Sequence, residues 1–62
     1  MGEMIRKVRQ EHHLSQKALG ALMTVSQSYI CKLEAEQEQP SEMFIRLFCL
    51  LFSVNEKEFS LK

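Results

Sequence analysis

Residues 14–34, LSQKALGALMTVSQSYICKLE, contain the strongest structural pattern in this 62-residue chain. Ser15 and Ser26 each precede a run of helix-forming residues, where a serine hydroxyl accepts a hydrogen bond from the free amides of the first helical turn. Only Thr24 and Val25 separate the first run from Ser26. The pattern therefore predicts two short helices joined by a turn of about three residues, which is helix-turn-helix geometry.

The apolar spacing in this stretch indicates which helix faces are buried. The apolar positions at helical spacing are Ala18, Leu19, Leu22 and Met23 in the first helix, and Ile30 and Leu33 in the second. Gly20 lies in the middle of the first helix, where glycine costs up to about 1 kcal/mol relative to alanine. We therefore expect the second helix of the motif to approach Gly20 closely.

The residues on either side of the motif predict two longer helices. Ile5 and Val8 lie three residues apart beneath a polar coat, which predicts an amphipathic helix over about residues 2–12. Ser41 follows a polar stretch that ends in a proline, and it is placed to cap a helix over residues 42–52.

The end of the chain predicts a fifth helix and completes the fold. Asn55 and Glu58 have the spacing of a capping box, so a short helix is expected to run to about Leu61. No alternating run of β-branched residues predicts a strand. The predicted fold class is all-α: a compact bundle of five short helices, in one domain over residues 1–62, with a central helix-turn-helix at about residues 15–34.

Composition excludes several classes of protein. Two cysteines without metal-ligand spacing give neither a disulfide scaffold nor a zinc site, and adjacent His12 and His13 do not share a helix face. No nucleophile with a base beside it and no phosphate-cradling glycine loop is present, so neither catalysis, a cofactor nor a metal is expected. Because no apolar run could span a membrane and Met1–Val8 carries charges, we expect a cytoplasmic protein.

The sequence resembles the lambda-repressor/Cro-like (XRE-type) helix-turn-helix family over nearly its whole length. The matching residues are Ile5, Arg6, Val8, Arg9, Leu14, Ser15, Gln16, Leu19, Gly20, Val25, Ser26, Gln27, Ser28, Tyr29, Ile30, Lys32, Leu33, Glu34, Pro40 and Ser41. The resemblance implies that double-stranded DNA is the partner and that the third helix enters its major groove. It also implies an ion pair between Arg9 and Glu34 that ties the first helix to the third.

The resemblance assigns DNA contacts to one group of residues. They are Gln16, Lys17, Ser26, Gln27, Ser28, Tyr29 and Lys32. Gln27 and Ser28 are expected to contact bases, because a glutamine amide offers adenine both a donor and an acceptor. Gln16, near the amino end of the second helix, is expected to hold a phosphate.

The chain departs from the family pattern at three turns and in one loop. Relatives commonly have glycine where this chain has His13, Thr24 and Glu36, and a left-handed non-glycine residue costs roughly 1 kcal/mol. We therefore expect turns that are either rebuilt or strained. Residues 36–39 include two carboxylates, which weaken phosphate binding unless they point away from DNA.

The fourth helix is too apolar for a helix that buries one face only. Its core side is expected to comprise Phe44, Ile45, Phe48, Cys49 and Phe52. The remaining apolar residues predict a homodimer interface within a dimerisation region at about residues 42–62, made of Met43, Leu47, Leu50, Leu51, Phe59 and Leu61. Oligomerisation would also support the marginal core of so short a chain, although a five-helix monomer with a crowded core is the alternative.

Together these features predict a dimeric, sequence-specific transcriptional regulator that binds a palindromic operator as a repressor or an activator. A phage repressor, a restriction-system controller and an antitoxin would share them. The alternative is a protein-interaction module, with a toxin or polymerase as its partner, because eight basic residues balance eight acidic ones and the loop with Glu36 and Glu38 is acidic. Residues 1–34 nevertheless hold five basic and three acidic residues, so the half predicted to face DNA is mildly basic.

Overall fold

The computed structural model describes residues 1–55 and 57, which form four α-helices and no strand. The helices are α1 (Gly2–Glu11), α2 (Gln16–Met23), α3 (Gln27–Glu34) and α4 (Glu42–Phe52). The all-helical prediction is confirmed for this part of the chain, but the helix count of five is not. The predicted fifth helix, from Asn55 to about Leu61, lies largely outside the described residues.

Three serine caps determine where α2, α3 and α4 begin. Each hydroxyl accepts a hydrogen bond from the amide three residues ahead, at 3.0 Å for Ser15 and Ser26 and at 3.1 Å for Ser41. Such a cap satisfies one of the amides that have no partner inside the helix, and it contributes about 1 kcal/mol. The predicted starts of these three helices are therefore confirmed.

All four helices contribute to one apolar core. Its buried residues are Ile5, Val8, Leu19, Met23, Ile30, Leu33, Phe44, Phe48 and Cys49. Phe52 is half-buried at the edge, where its ring lies 4.9 Å from that of Phe48 and 4.8 Å from that of His12. Ile45 is also half-buried and packs against the core, so the predicted core side of α4 is confirmed, with Ile45 and Phe52 at its margins.

Leu22 was expected in the core and is instead 50% exposed. The buried residues of α2 are Leu19, Gly20 and Met23, so the inward face of the helix includes Gly20 and leaves Leu22 at its solvent margin. A Cβ on Gly20 would lie 2.8 Å from the Val25 carbonyl oxygen. The predicted close approach to Gly20 is therefore present, but it is made by the turn before α3 rather than by the helix itself.

The turns after the helices are left-handed and are not rebuilt. Positive φ angles occur at His13 (57°), Thr24 (61°), Glu36 (62°) and also Ser53 (56°). In each turn the following amide bonds back to a carbonyl of the helix, for example Val25 N to Gly20 O at 2.8 Å. These bonds satisfy the last helical carbonyls, while the non-glycine residues bear the strain of the left-handed conformation.

None of the helices in residues 1–55 and 57 is long and apolar enough to cross a membrane. The longest, α4, has 11 residues, whereas a spanning helix needs about 20.

Candidate nucleic-acid interface

The amino-terminal half of α3 presents a polar face to solvent. Gln27 and Ser28 are its first two residues, and both are exposed together with Lys32 one turn later. At 100° per residue these three side chains fall within an arc of about 140°. The capping bond from Tyr29 N to Ser26 Oγ fixes the start of this face.

Tyr29 differs from its neighbours on α3 because it also belongs to the packing of the domain. It is half-buried, and its ring meets that of Phe44 edge-on at 5.9 Å, with 73° between the ring planes. The aromatic contact connects α3 to α4 and limits how freely the ring can move.

The first two residues of α2 have different surroundings. Lys17 is exposed. Gln16 is half-buried, and its Nε2 donates a hydrogen bond to Glu34 Oε1 at 3.2 Å. Because a carboxylate oxygen only accepts hydrogen bonds, the amide nitrogen of Gln16 must face Glu34. One of the two amide hydrogens remains for a contact outside the protein.

A buried carboxylate joins α1, α2 and α3. The Glu34 side chain is fully buried and accepts bonds from Arg9 at 2.6 Å (Nε to Oε2) and 3.0 Å (Nη2 to Oε1). Arg6 Nε donates to Oε1 at 3.3 Å. Together with Gln16, these donors satisfy a charge that would be costly to bury unpaired.

These contacts change the acidity of both partners in the central ion pair. Burial alone would raise the pKa of Glu34, but hydrogen bonds from Arg9, Gln16 and Arg6 and the charge of Arg9 outweigh it. The pKa of Glu34 therefore lies below its usual value. The hydrogen bond to Glu34 raises the pKa of Arg9, so the pair stays charged.

Glu36, in the loop of residues 36–39 that contains two carboxylates, caps the amino end of α1. Its Oε2 accepts the Gly2 amide at 2.7 Å and lies 3.4 Å from the terminal ammonium group. The Gly2 bond and then the ammonium bond lower the pKa of Glu36. Gly2 permits the approach, because a Cβ there would lie 2.5 Å from the Leu33 carbonyl oxygen. One carboxylate of the loop is therefore committed to α1.

Sequence reasoning missed two of these roles. The Glu36 cap joins residues 34 positions apart, and Arg6 meets Glu34 from 28 positions away. The residue before α1, Met1, has no side chain that could cap the helix, so its first amides need an acceptor from elsewhere in the chain. That general need was the only indication of the Glu36 cap in the sequence. Arg6 matched the family pattern, but its spacing from other residues indicated no partner.

Comparison with known families identifies the chain. The sequence model of a family described as Helix-turn-helix matches residues 5–59. The chain belongs to this XRE-type, lambda repressor/Cro-like family. The family binds DNA, and the resemblance found in the sequence is thereby confirmed. Searches of curated proteins and of solved structures give no significant match.

In this helix-turn-helix protein, α4 leaves a stripe of apolar side chains in solvent. The exposed fractions are 77% for Met43, 38% for Leu47, 79% for Leu50 and 47% for Leu51. These four residues are called the α4 stripe below. Phe59 and Leu61, which were predicted to extend it, lie outside the described residues.

An apolar groove of about 430 Å³ adjoins the α4 stripe. It is lined by Met23, Val25, Ser26, Tyr29, Ser41, Met43, Phe44 and Leu47. Met43 and Leu47 belong to both features, so the stripe and the groove form one continuous apolar surface. Single exposed leucines are common on protein surfaces, whereas a continuous apolar surface of this kind is typical of an interaction site.

The thiols and histidines form no further site in the part of the chain that the structure describes. Cys31 is exposed, and Cys49 is buried in the core. Within residues 1–55 and 57, no three His, Cys, Asp or Glu side chains are grouped so that they could hold a metal ion.

Proposed function

We propose that the protein is a sequence-specific transcriptional regulator that acts in the cytoplasm as a homodimer on a palindromic operator. The observation that carries the proposal is the exposed face of Gln27, Ser28 and Lys32 at the start of a capped α3, in a chain of a DNA-binding family. A fixed helix start positions side chains on a rigid element, which base recognition requires.

In this proposal α3 lies in the major groove with its amino-terminal residues towards the bases. The Gln27 amide pairs with an adenine as donor and acceptor, and Ser28 contacts the neighbouring base. Lys32, one turn later, reaches a guanine or a phosphate. Tyr29 contacts the DNA backbone while its ring stays packed on Phe44.

Helix α2 crosses the phosphate backbone and sets the register of α3. The free amide hydrogen of Gln16 contacts a phosphate, and exposed Lys17 adds a positive charge that salt screens. Ser26, at the start of α3, contacts the backbone of the same strand. These contacts contribute to affinity on every sequence, whereas Gln27 and Ser28 distinguish one sequence from another.

The dimer forms through the α4 stripe, extended by Phe59 and Leu61. Support comes from the exposure of Met43 and Leu50, each more than three-quarters accessible in the single chain. A twofold axis through this surface buries the same residues of both copies. Two copies of α3 then face half-sites about 34–36 Å apart, one turn of DNA.

Selection from a random duplex pool tests the proposal. Repeated rounds with the purified protein should enrich a palindrome, and binding should weaken steeply as salt rises from about 50 to 200 mM. The matched control is the same selection with Gln27→Ala and Ser28→Ala combined, which should lose the palindrome. A folded wild-type protein that retains no duplex at about 50 mM salt would overturn the proposal.

A second candidate function is a protein-interaction module, such as an antitoxin or accessory regulator, with weak DNA binding. The α4 stripe with its groove, and the net charge of zero, favour it. The two candidates differ in one result. A folded protein that self-associates but enriches no DNA sequence supports the interaction module, whereas an enriched palindrome supports the regulator.

A further inference from the structure

Two guanidinium groups share the single carboxylate of Glu34, and they use it differently. Arg9 is only 12% exposed in its side chain and directs all its nitrogens inward: Nε and Nη2 to Glu34, and Nη1 to the Leu14 carbonyl at 2.8 Å. Arg6 is 53% exposed and makes one bond, from Nε at 3.3 Å. Arg9 is therefore a structural partner, whereas Arg6 is held at one nitrogen only.

The cluster carries an excess positive charge, and Arg6 presents it to solvent. One carboxylate neutralises one guanidinium, and the shorter, bidentate bonds assign that role to Arg9. Nη1 and Nη2 of Arg6 bond to no residue in the described part of the chain. These two nitrogens form the planar fork that matches two oxygens of a phosphate.

Arg6 also lies beside the helix that would cross the DNA backbone. Its Nε and the Nε2 of Gln16 donate to the same oxygen, Glu34 Oε1, at 3.3 and 3.2 Å. The head group of Arg6 is therefore a close neighbour of the first residue of α2. Lys7, the next residue on α1, is exposed and has no ion pair among the described residues, so its side chain is not held in this position.

We propose that Arg6 contacts a DNA phosphate through its two terminal nitrogens, and that Glu34 is the positioning residue that holds it beside α2. The inference rests on the proposed function. It adds α1 to the elements that contact DNA. Because phosphates occur at every step of the duplex, the contact strengthens binding to all sequences alike.

The first test compares Arg6→Gln with Lys7→Gln, two variants that each remove one positive charge from α1. Dissociation constants are measured by fluorescence anisotropy on the enriched duplex and on an unrelated duplex of equal length, between 50 and 300 mM salt. Arg6→Gln should weaken binding to both duplexes about tenfold at low salt. It should also reduce the slope of log affinity against log salt by about 0.9, the value for one phosphate.

Lys7→Gln should change the affinity less than about twofold and leave the slope unaltered, since an exposed charge that no ion pair holds near the DNA backbone is largely screened. If Arg6→Gln and Lys7→Gln have equal effects on affinity and slope, the inference is overturned while the proposed function stands. If the wild-type protein binds no duplex, the proposed function itself fails. Thermal melting confirms that both variants are folded, and Arg6→Lys, which keeps the charge but lacks the fork, should restore affinity only in part.

A second test isolates the role of Glu34. Glu34→Gln removes a negative charge, so electrostatics alone would tighten DNA binding. If Glu34 positions Arg6, Glu34→Gln should instead weaken DNA binding in the wild-type background. In the Arg6→Gln background the same substitution should cause no further weakening. Measurements are made at a temperature where circular dichroism shows each variant to be folded. Equal weakening in both backgrounds would overturn the positioning role.

Discussion

Thr24 occupies the least favourable backbone position in the described part of the chain. It ends α2 at φ 61° and ψ 38°, in the left-handed region, where a β-branched side chain is crowded. The bond from Val25 N to Gly20 O at 2.8 Å requires this turn, because it directs the chain back over Gly20 and into α3. The helix-turn-helix geometry is therefore maintained against a local cost at one residue.

Replacing Thr24 by glycine should stabilise the fold. Thr24→Gly removes the left-handed strain and should raise the free energy of unfolding by about 1 kcal/mol, or Tm by about 4–8 °C for a domain of this size. The measurement is thermal and urea unfolding followed by circular dichroism. A lower Tm for Thr24→Gly would contradict the assignment of strain.

Glu36→Gly is the matched control, since Glu36 has nearly the same φ angle, 62°. That substitution relieves strain but also removes the acceptor for the Gly2 amide. It should therefore stabilise the protein less than Thr24→Gly does.

The buried carboxylate predicts how stability depends on pH. The folded pKa of Glu34 lies below the unfolded value of 4.5, so its stabilising contribution is complete above that value. It is lost as the pH falls through the folded pKa, and Glu36 contributes with the same sign. When the free energy of unfolding is measured between pH 2.5 and 7, it should decrease as the pH falls below the unfolded pKa. The decrease should be less steep for Glu34→Gln than for the wild-type protein. A carboxyl titration by NMR that placed Glu34 above 4.5 would contradict the prediction.

At the scale of the elements, the sequence predicts helix starts better than it predicts buried faces. Ser15, Ser26 and Ser41 act on amides three residues away, so their effect can be inferred from a short stretch of sequence. The inward face of α2 includes Gly20, which is not part of the apolar spacing and packs against the turn in a tertiary contact. Leu22 was therefore assigned to the core although it faces solvent.

The contacts of the candidate site were harder to predict because they join distant parts of the chain. The Glu36 cap on Gly2 and the bond of Arg6 to Glu34 follow no helical period. The pair of Arg9 and Glu34 entered through the family resemblance and not through spacing. The exposed face of Gln27 and Ser28, by contrast, follows from the cap at Ser26 and could be placed from sequence.

The proposed roles of α2 and α3 predict two different kinds of DNA-binding defect. Gln27→Ala should change the preferred base at one position of each half-site, with a loss of about 1–3 kcal/mol on the original sequence. Gln16→Ala should weaken binding to all sequences by a similar factor, because the contact proposed for Gln16 is with a phosphate. Selection from a random pool and affinities on three duplexes distinguish the two. If both variants bind like the wild type, the docking of α3 is wrong.

At the scale of the whole molecule, the α4 stripe predicts the oligomeric state. The wild-type protein should sediment with twice the 7.3 kDa mass of the chain, because the proposed twofold contact would cover the exposed side chains of Met43, Leu47 and Leu50. Leu50→Glu introduces a charge that the interface would have to bury, so it should give monomers. Analytical ultracentrifugation provides the measurement.

Leu22→Glu is the control for this prediction. Leu22 is 50% exposed, comparable to Leu51, but it belongs to α2 and not to the stripe. Its substitution should leave the sedimenting mass unchanged. A monomeric wild-type protein, or an equal loss of mass for Leu22→Glu and Leu50→Glu, would contradict the assignment of the interface to α4.

The Glu34 cluster also sets the smallest part of the chain that can be transplanted. A peptide of residues 14–35 would retain α2, α3 and Gln16, but it would lack both arginines that donate hydrogen bonds to Glu34. The excised motif would then carry a carboxylate at the junction of its helices with no cation beside it. Grafting α2 and α3 onto another scaffold would therefore require α1 as well, or the replacement of Glu34 by an uncharged residue.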